Sequence, residues 1–286
     1  MSPAFPGLSR AALSKFAVLA FFRQTDGVST PAPPALPAPS SAPPLSRRDE
    51  RRLATVAEIK AIARRQLAEH GPGAVSLREI SREMRMASSA LYRYFASHDE
   101  LISALCVDAY DSVADALAAA RDTRPADDHA GRWWQICHAY RRWSLDNRPD
   151  FALIFGTPVP GHHAPASTTG PAAGRFATVP LDVYAAAVDA GAADPDRTPV
   201  PPTLEVGDLL QQLLDPAIPD YPPRLAGIAL TAWASVLGFL VTEIFGSLPR
   251  LVTDTDQLYR AHVCTVMTGM GFHPTLIPTG DGDRHR

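Results

Sequence analysis

Cysteine is scarce in this chain of 286 residues: Cys106, Cys137 and Cys264 are odd in number and far apart. No CxxC pair and no Cys/His spacing of the metal-binding kind occurs, so neither a disulfide framework nor a zinc site is expected. That usage fits a reducing cytoplasm. His162 and His163 sit in a Pro-rich loop without carboxylate or cysteine neighbours, so no metal and no cofactor are expected. Catalytic signatures are missing too. There is no GxSxG, HExxH, phosphate-binding loop or Ser/His/Asp set, which leaves an enzyme as a remote reading. Long apolar runs are few. "KFAVLAFF" (15–22) is too short to span a bilayer, and although Arg10 precedes it, no small-x-small cleavage site follows. The apolar stretch 224–246 is bounded by Arg224 and Glu243, and its Ala, Gly and Thr content suits close packing in a bundle. No membrane association is expected. Nor does one sign of charge dominate: the formal net charge is −3.

What is abundant is proline. The chain holds 28, about twice ordinary usage, and they cluster. Runs such as "PAPPALPAPSSAPP" mark residues 1–46 as a disordered, polyproline-like extension. Charge is also unevenly placed. Residues 46–95 carry eleven Arg or Lys and six acids, a local +5 that leaves −8 for the rest. A basic head on an acidic body suggests a polyanion-binding module joined to something else.

Within the head, Val56, Ile59, Ala63 and Leu67 recur at three- and four-residue steps and predict a helix over about 47–69. "HGPG" (70–73) ends it. In "SLRE" (76–79), Ser76 and Glu79 form a capping box, so a helix starts at Leu77 and runs to about Met84. A third short helix spans Ser88 to Phe95, "SHDE" (97–100) is another start signal, and a long helix runs from His98 to Arg121. Two very short helices joined by a tight turn and framed by longer ones make a helix-turn-helix. Beyond Asp128, helices are expected at 131–147, 151–156, 175–191, 204–214, 224–246 and 254–270, with Pro-rich loops at 157–173 and 194–203. The fold class is therefore all-α: a three-helix helix-turn-helix unit at 47–97, a larger helical unit at 98–272, and a disordered tail at 273–286.

These residues carry a resemblance. The stripe of the first helix, the Gly71 break, "VSLREIS", "ALYRYF" and "SHDEL" make residues 47–105 resemble the DNA-binding domain of the TetR family of transcriptional regulators. "AYRRWSLDNRPDFALIFGTPVPG" (139–161) and "AWASVLGFLVTEIFG" (232–246) resemble a ligand-binding class of that family named for a Trp-His-Gly motif. Four positions depart from the pattern. Arg85 stands where the turn usually has Gly, so it is expected in a left-handed conformation costing about 1 kcal/mol, unless the turn differs slightly. Ala87 replaces the usual Ser or Thr cap, so either Ser88 caps or the cap is lost. His98 replaces a lysine, and Leu237 replaces the motif's histidine.

The resemblance implies a dimeric repressor on a near-palindromic double-stranded DNA operator, released by a small effector. Chemistry assigns the parts. Leu91 and Phe95 belong to the core, while Ser88, Ser89, Tyr92 and Arg93 face outward. With Ala90, short residues let the backbone approach base edges, and Tyr92 and Tyr94 suit phosphate or thymine-methyl contacts. Ser76 and the amide of Leu77 can hold a phosphate at a helix start, Arg78 can bind guanine or phosphate, and His98 is a phosphate candidate. Trp133, Trp134, Tyr140, Phe151, Phe155, Trp233 and Leu237 are the expected effector pocket, favouring an apolar or aromatic molecule. Ala229, Trp233, Val236, Leu240 and Met267 are the expected dimer interface. A switch through a protein partner or cysteine oxidation stays open as an alternative.

Overall fold

The structure, a computed structural model, describes residues 46–71, 75–156, 166–208, 210, 218, 220–246 and 248–278. The Pro-rich extension therefore lies outside the described residues except for Ser46, as do His162 and His163 and residues 209 and 211–214 of the helix expected at 204–214. Of that helix, Leu204–Gly207 is not helical.

Helix α1 (Arg47–His70) is capped by Ser46, whose hydroxyl accepts from the Asp49 amide. It stops at Gly71, whose φ of 83° suits a residue without a side chain. Helix α2 (Leu77–Glu83) starts where the Ser76 hydroxyl accepts from the Glu79 amide. Helix α3 (Ser88–Leu91) is shorter than expected, because Arg93 and Tyr94 bond to carbonyls three residues back and wind the segment more tightly. Helix α4 (His98–Arg121) has a reciprocal cap: Ser97 accepts from the Glu100 amide and the Glu100 carboxylate accepts from the Ala96 amide. Helices α5 (His129–Asp146) and α6 (Arg148–Phe155) follow with only Asn147 between them.

Helix α7 (Ala166–Asp189) begins well before the 175 expected, with Pro171 and Pro180 inside it. Its Thr-, Gly- and Pro-rich start reads as a loop, but Thr169, Ala172 and Ala173 are buried. Packing on α4 overrides the local preference. A 3-10 turn (Pro195–Arg197), α8 (Pro223–Ile244), the short α9 (Leu248–Leu251) and α10 (Thr255–Gly269) complete the body. Of the tail expected at 273–286, residues 279–286 lie outside the described residues and 273–278 pack on the body. His273 donates to the Ala192 carbonyl, Pro274–Leu276 forms a 3-10 turn and Ile277 is buried.

Among the described residues the fold is all-α, with one isolated bridge between Ala193 and Phe272. A single apolar core runs through head and body. The first turns of α4 bury Leu101, Ile102 and Leu105 against Ile59, Ile80 and Leu91. Its later turns bury Tyr110, Val113 and Leu117 in the body. Tyr110, Tyr140, Phe155 and Phe176 form an aromatic cluster joining α4, α5, α6 and α7, with ring centroids 5.6–6.2 Å apart.

Ion pairs dress the outside of that core. Lys60 and Arg64 of α1 reach Asp108 of α4 at 2.7 and 2.9 Å, and Arg64 also meets Asp150 of α6. One pair is internal. The Arg141 guanidinium grips both oxygens of Glu243 at 2.6 and 2.8 Å, tying α5 to α8, with the two side chains 12% and 4% exposed. Replacing Glu243 with Ala leaves a partly desolvated guanidinium facing Asp256, Thr255 and the Tyr259 ring. Glu243→Ala is expected to lower unfolding stability by about 3 kcal/mol, read from urea denaturation. A loss below about 1 kcal/mol would show that water reaches the pair freely.

Candidate DNA interface and apolar cavity

The α2–α3 turn is where the sequence departs from its pattern, and the structure shows how the turn accommodates this. Arg85 takes φ 53°, the left-handed conformation expected of it. Ala87 stands at the N-cap of α3 with no side-chain hydrogen bond, so the cap is lost. Ser88 does not replace it, since its hydroxyl lies 3.1 Å from that of Ser81 on α2 and holds the two helices together.

Leu91 and Phe95 are buried and fix α3 to the bundle. Ser88, Ser89, Tyr92 and Arg93 are all exposed, and Tyr92 at 48% is unusually open for a large ring. Arg78 is exposed and Ser76 half-buried at the start of α2. Leu77 is buried, so only its amide can face a ligand. Ala90 and Tyr94 are half-buried, and the Arg52 guanidinium lies over the Tyr94 ring at 5.7 Å. His98 is half-exposed at the start of α4, its Nδ1 3.5 Å from the Asp99 carboxylate. The arrangement presents two hydroxyls, a phenol and a guanidinium on α3 and the turn that follows it, the chemistry that reads base edges and phosphates.

A second feature lies in the body. Between the last turns of α4 and helices α5, α7 and α8 is a cavity of about 90 Å³ whose walls are almost wholly apolar. Of the residues expected to form an effector pocket, Trp133, Tyr140 and Trp233 line this cavity. The other four expected residues do not. Trp134 stacks on His138 at 4.5 Å, on the side of α5 near α10. Phe151 packs between Phe155 and Phe245, and Leu237 is buried away from the cavity. Phe155 stands one layer behind, against Phe176 and Trp233. Leu117, Ile136, Phe176, Pro180, Leu181 and Leu230 take their places. Nothing in the sequence distinguishes these aliphatic walls from ordinary core, because both are apolar at helical spacing.

The polar atoms at the cavity are few. The Trp133 indole N–H is buried and finds no hydrogen-bond partner among the described residues. Burial pushes the Tyr140 hydroxyl pKa well up, slightly offset by the neighbouring Trp233 indole. Among the described residues no charged side chain lines the walls.

The expected dimer residues fall elsewhere than intended. Leu240 and Met267 are fully buried in the chain's own core, and Ala229, Trp233 and Val236 line the cavity. The apolar positions of α8 that look most like an interface are turned inward, because α5 and α7 claim that face. Cys106 and Cys137 are buried and Cys264 is half-buried. Burial pushes the thiol pKa of Cys137 and Cys264 up, which disfavours the reactive thiolate. Among the described residues no cluster of His, Cys, Asp or Glu could hold a metal ion.

A helix-turn-helix whose second helix is pinned from below and polar above, on a larger helical body, defines a DNA-binding regulatory protein. The chain belongs to the TetR family of bacterial transcriptional regulators. A profile described as "Bacterial regulatory proteins, tetR family" matches residues 59–105, and one described as "Tetracyclin repressor-like, C-terminal domain" matches 133–266. The HTH-type transcriptional regulators Rv1816 of Mycobacterium tuberculosis (strain H37Rv) and Mb1846 of Mycobacterium bovis are each 33% identical over 232 residues, covering 80% of this chain and 97% of theirs. Among solved structures, the regulatory protein SCO4313 is 31% identical with a TM-score of 0.60, over 78% of this chain and all of that one. A TetR-family regulatory protein from Rhodococcus RHA1, 19% identical over 76% of this chain and 97% of its own, shares the fold at a TM-score of 0.52.

His138 gives the body a pH dependence. Burial, with Arg141 and Arg260 nearby, holds its imidazole pKa down to about 4, against an unfolded value near 6.5. The folded chain therefore favours the neutral ring. The His138 contribution is intact above about pH 6.5 and is lost as pH falls from there towards 4. For this partly exposed ring the loss is about 1–2 kcal/mol. Urea midpoints measured between about pH 7 and pH 5 should fall less steeply for His138→Gln than for the natural chain. Equal slopes would refute the assignment.

Proposed function

We propose that this regulator is a dimeric repressor, working in the cytoplasm, that leaves its operator when a small neutral apolar or aromatic molecule occupies the body cavity. The observation that carries the reading is the short α3, pinned by Leu91 and Phe95 and open at Ser88, Ser89, Tyr92 and Arg93. In a two-fold dimer two such helices enter successive major grooves, about 34 Å apart. Arg78 and the Leu77 amide at the start of α2, with His98 at the start of α4, face the flanking phosphates.

Dimerisation is assigned to the outer faces of α8 and α10. The most apolar window of α8 is only 44% buried within one chain. Its open side carries small residues, Thr231, Ser235, Gly238 and Thr242, beside Leu258, Ala261 and Thr265 of α10. Small residues let helices approach closely, and the open apolar area is what a second copy would cover.

Release works through α4. Its far end supplies Leu117 to the cavity, and its near end follows α3 after one turn. A ligand that fits only when Leu117 moves shifts a rod roughly 36 Å long and with it the spacing of the two α3 helices. Differential binding of about 1–3 kcal/mol between the two arrangements is enough for useful control. An uncharged, ring-sized molecule suits walls whose described residues offer no counter-charge.

Selection of bound duplexes from a random pool should return an inverted repeat, and Tyr92→Ala should weaken binding to it about 5- to 100-fold. No sequence preference, or full affinity in the variant, sinks the DNA-reading assignment. On the dimer, sedimentation should give two chains for the natural protein and one for Gly238→Arg, which sets a charge in the middle of the assigned face. A monomeric natural protein contradicts it.

A further inference from the structure

We infer that the N-terminal turns of α1 are a second DNA-binding surface, in which Arg47, Arg48, Arg51 and Arg52 grip backbone phosphates beside each half-site. The inference rests on the regulator reading above and adds a surface that α2, α3 and the start of α4 do not supply.

The first observation is that α1 overshoots its own bundle. Every residue from Arg47 to Ala54 is exposed, including Leu53 at 55%, and the first fully buried side chain is Ile59. Roughly 12 Å of helix thus runs ahead of the core with no apolar face to bury. A helical extension with so little packing among the described residues costs backbone entropy and gains little by itself.

The second observation is how its charges are sorted. At 100° per residue, Arg47, Arg48, Arg51 and Arg52 fall within an arc of about 140°, and Asp49 and Glu50 fall outside it. Asp49 is turned back to the cap, where it accepts from the Ser46 hydroxyl at 2.6 Å. The arginine arc is the continuation of the buried stripe: Arg48, Thr55 and Ile62 lie one heptad apart, as do Arg52 and Ile59. The side of α1 that meets the bundle farther along is therefore cationic where the bundle ends. Among the described residues Arg47, Arg48 and Arg51 form no ion pair, whereas Arg64 and Arg65 of the same helix pair with Asp108, Asp150 and Glu83.

The third observation gives direction. Arg52 lies over the ring of Tyr94, two residues beyond the exposed Tyr92. That contact makes the cationic face continuous with the α3 surface and not with the acidic body. Unpaired guanidinium groups, on an overhang beside the DNA-reading helix, match a row of phosphates in charge and in donor geometry. A protein partner would need an acidic strip of the same shape lying against the same DNA edge, which repulsion from the phosphates opposes.

The test is the salt dependence of binding by the full-length protein, between about 50 and 200 mM salt, on a duplex carrying the selected site. Each phosphate contact contributes about 0.9 to the slope of log affinity against log salt. The triple variant Arg47→Gln, Arg48→Gln, Arg51→Gln should lower that slope by about 2 to 5 for a dimer. The matching triple lysine variant should keep most of it. The loss should also appear on a random-sequence duplex, and it should vanish when the selected duplex is trimmed to the repeat alone. A slope unchanged in the glutamine variant overturns the inference, as does a loss confined to the trimmed site. A natural protein that binds no duplex at all refutes the regulator reading itself.

Discussion

Everything in this molecule depends on α4 lying in two places at once. A single helix of 24 residues buries Leu101, Ile102 and Leu105 among the head helices and Tyr110, Val113 and Leu117 among the body helices. No polar seam separates the two regions, and the apolar core is continuous along its length. Close-packed interiors do not deform gradually, so a change around Leu117 is felt as a displacement of the rod. The acids on α4's outer side reinforce this. Asp108 holds Lys60 and Arg64 of α1, and Asp111 and Asp115 hold Arg175 of α7.

The body divides its aromatic residues by task. Tyr110, Tyr140, Phe155 and Phe176 form a rigid knot where four helices meet, and the cavity opens beside it. Trp134, stacked on His138, belongs to the opposite side of α5 near α10. On a helix, adjacent tryptophans point about 100° apart, so Trp133 and Trp134 cannot serve the same wall. The buried Arg141–Glu243 pair explains why a carboxylate sits within the apolar α8: it locks that helix to α5 at one register.

The head was largely legible because its signals are local. The stripe of Ile59, Ala63 and Leu67, the Ser76 and Ser97 caps, the stop at Gly71 and the left-handed Arg85 each rest on a few neighbouring residues, and the structure shows them all. Two local readings failed for opposite reasons. Helix α3 closes early because its last residues tighten into 3-10 bonds, and α7 opens early although Pro171 argues against it. In the second case buried contacts of Thr169, Ala172 and Ala173 against the rest of the bundle outweigh a preference worth a few kcal/mol.

The cavity and the proposed interface were not legible in this way. Leu117, Ile136 and Leu230 are indistinguishable in sequence from core, and Leu240 and Met267 look as suitable for an interface as for an interior. By itself the sequence determined the helical class, the helix-turn-helix, its caps and its outward polar arc, because periodicity, capping and turn chemistry act over a handful of residues. Only the tertiary structure decided which apolar residues leave a void, which face of α8 stays open and how far α1 runs past its bundle. Those depend on which helix covers which, a many-body packing outcome that no short stretch of chain contains.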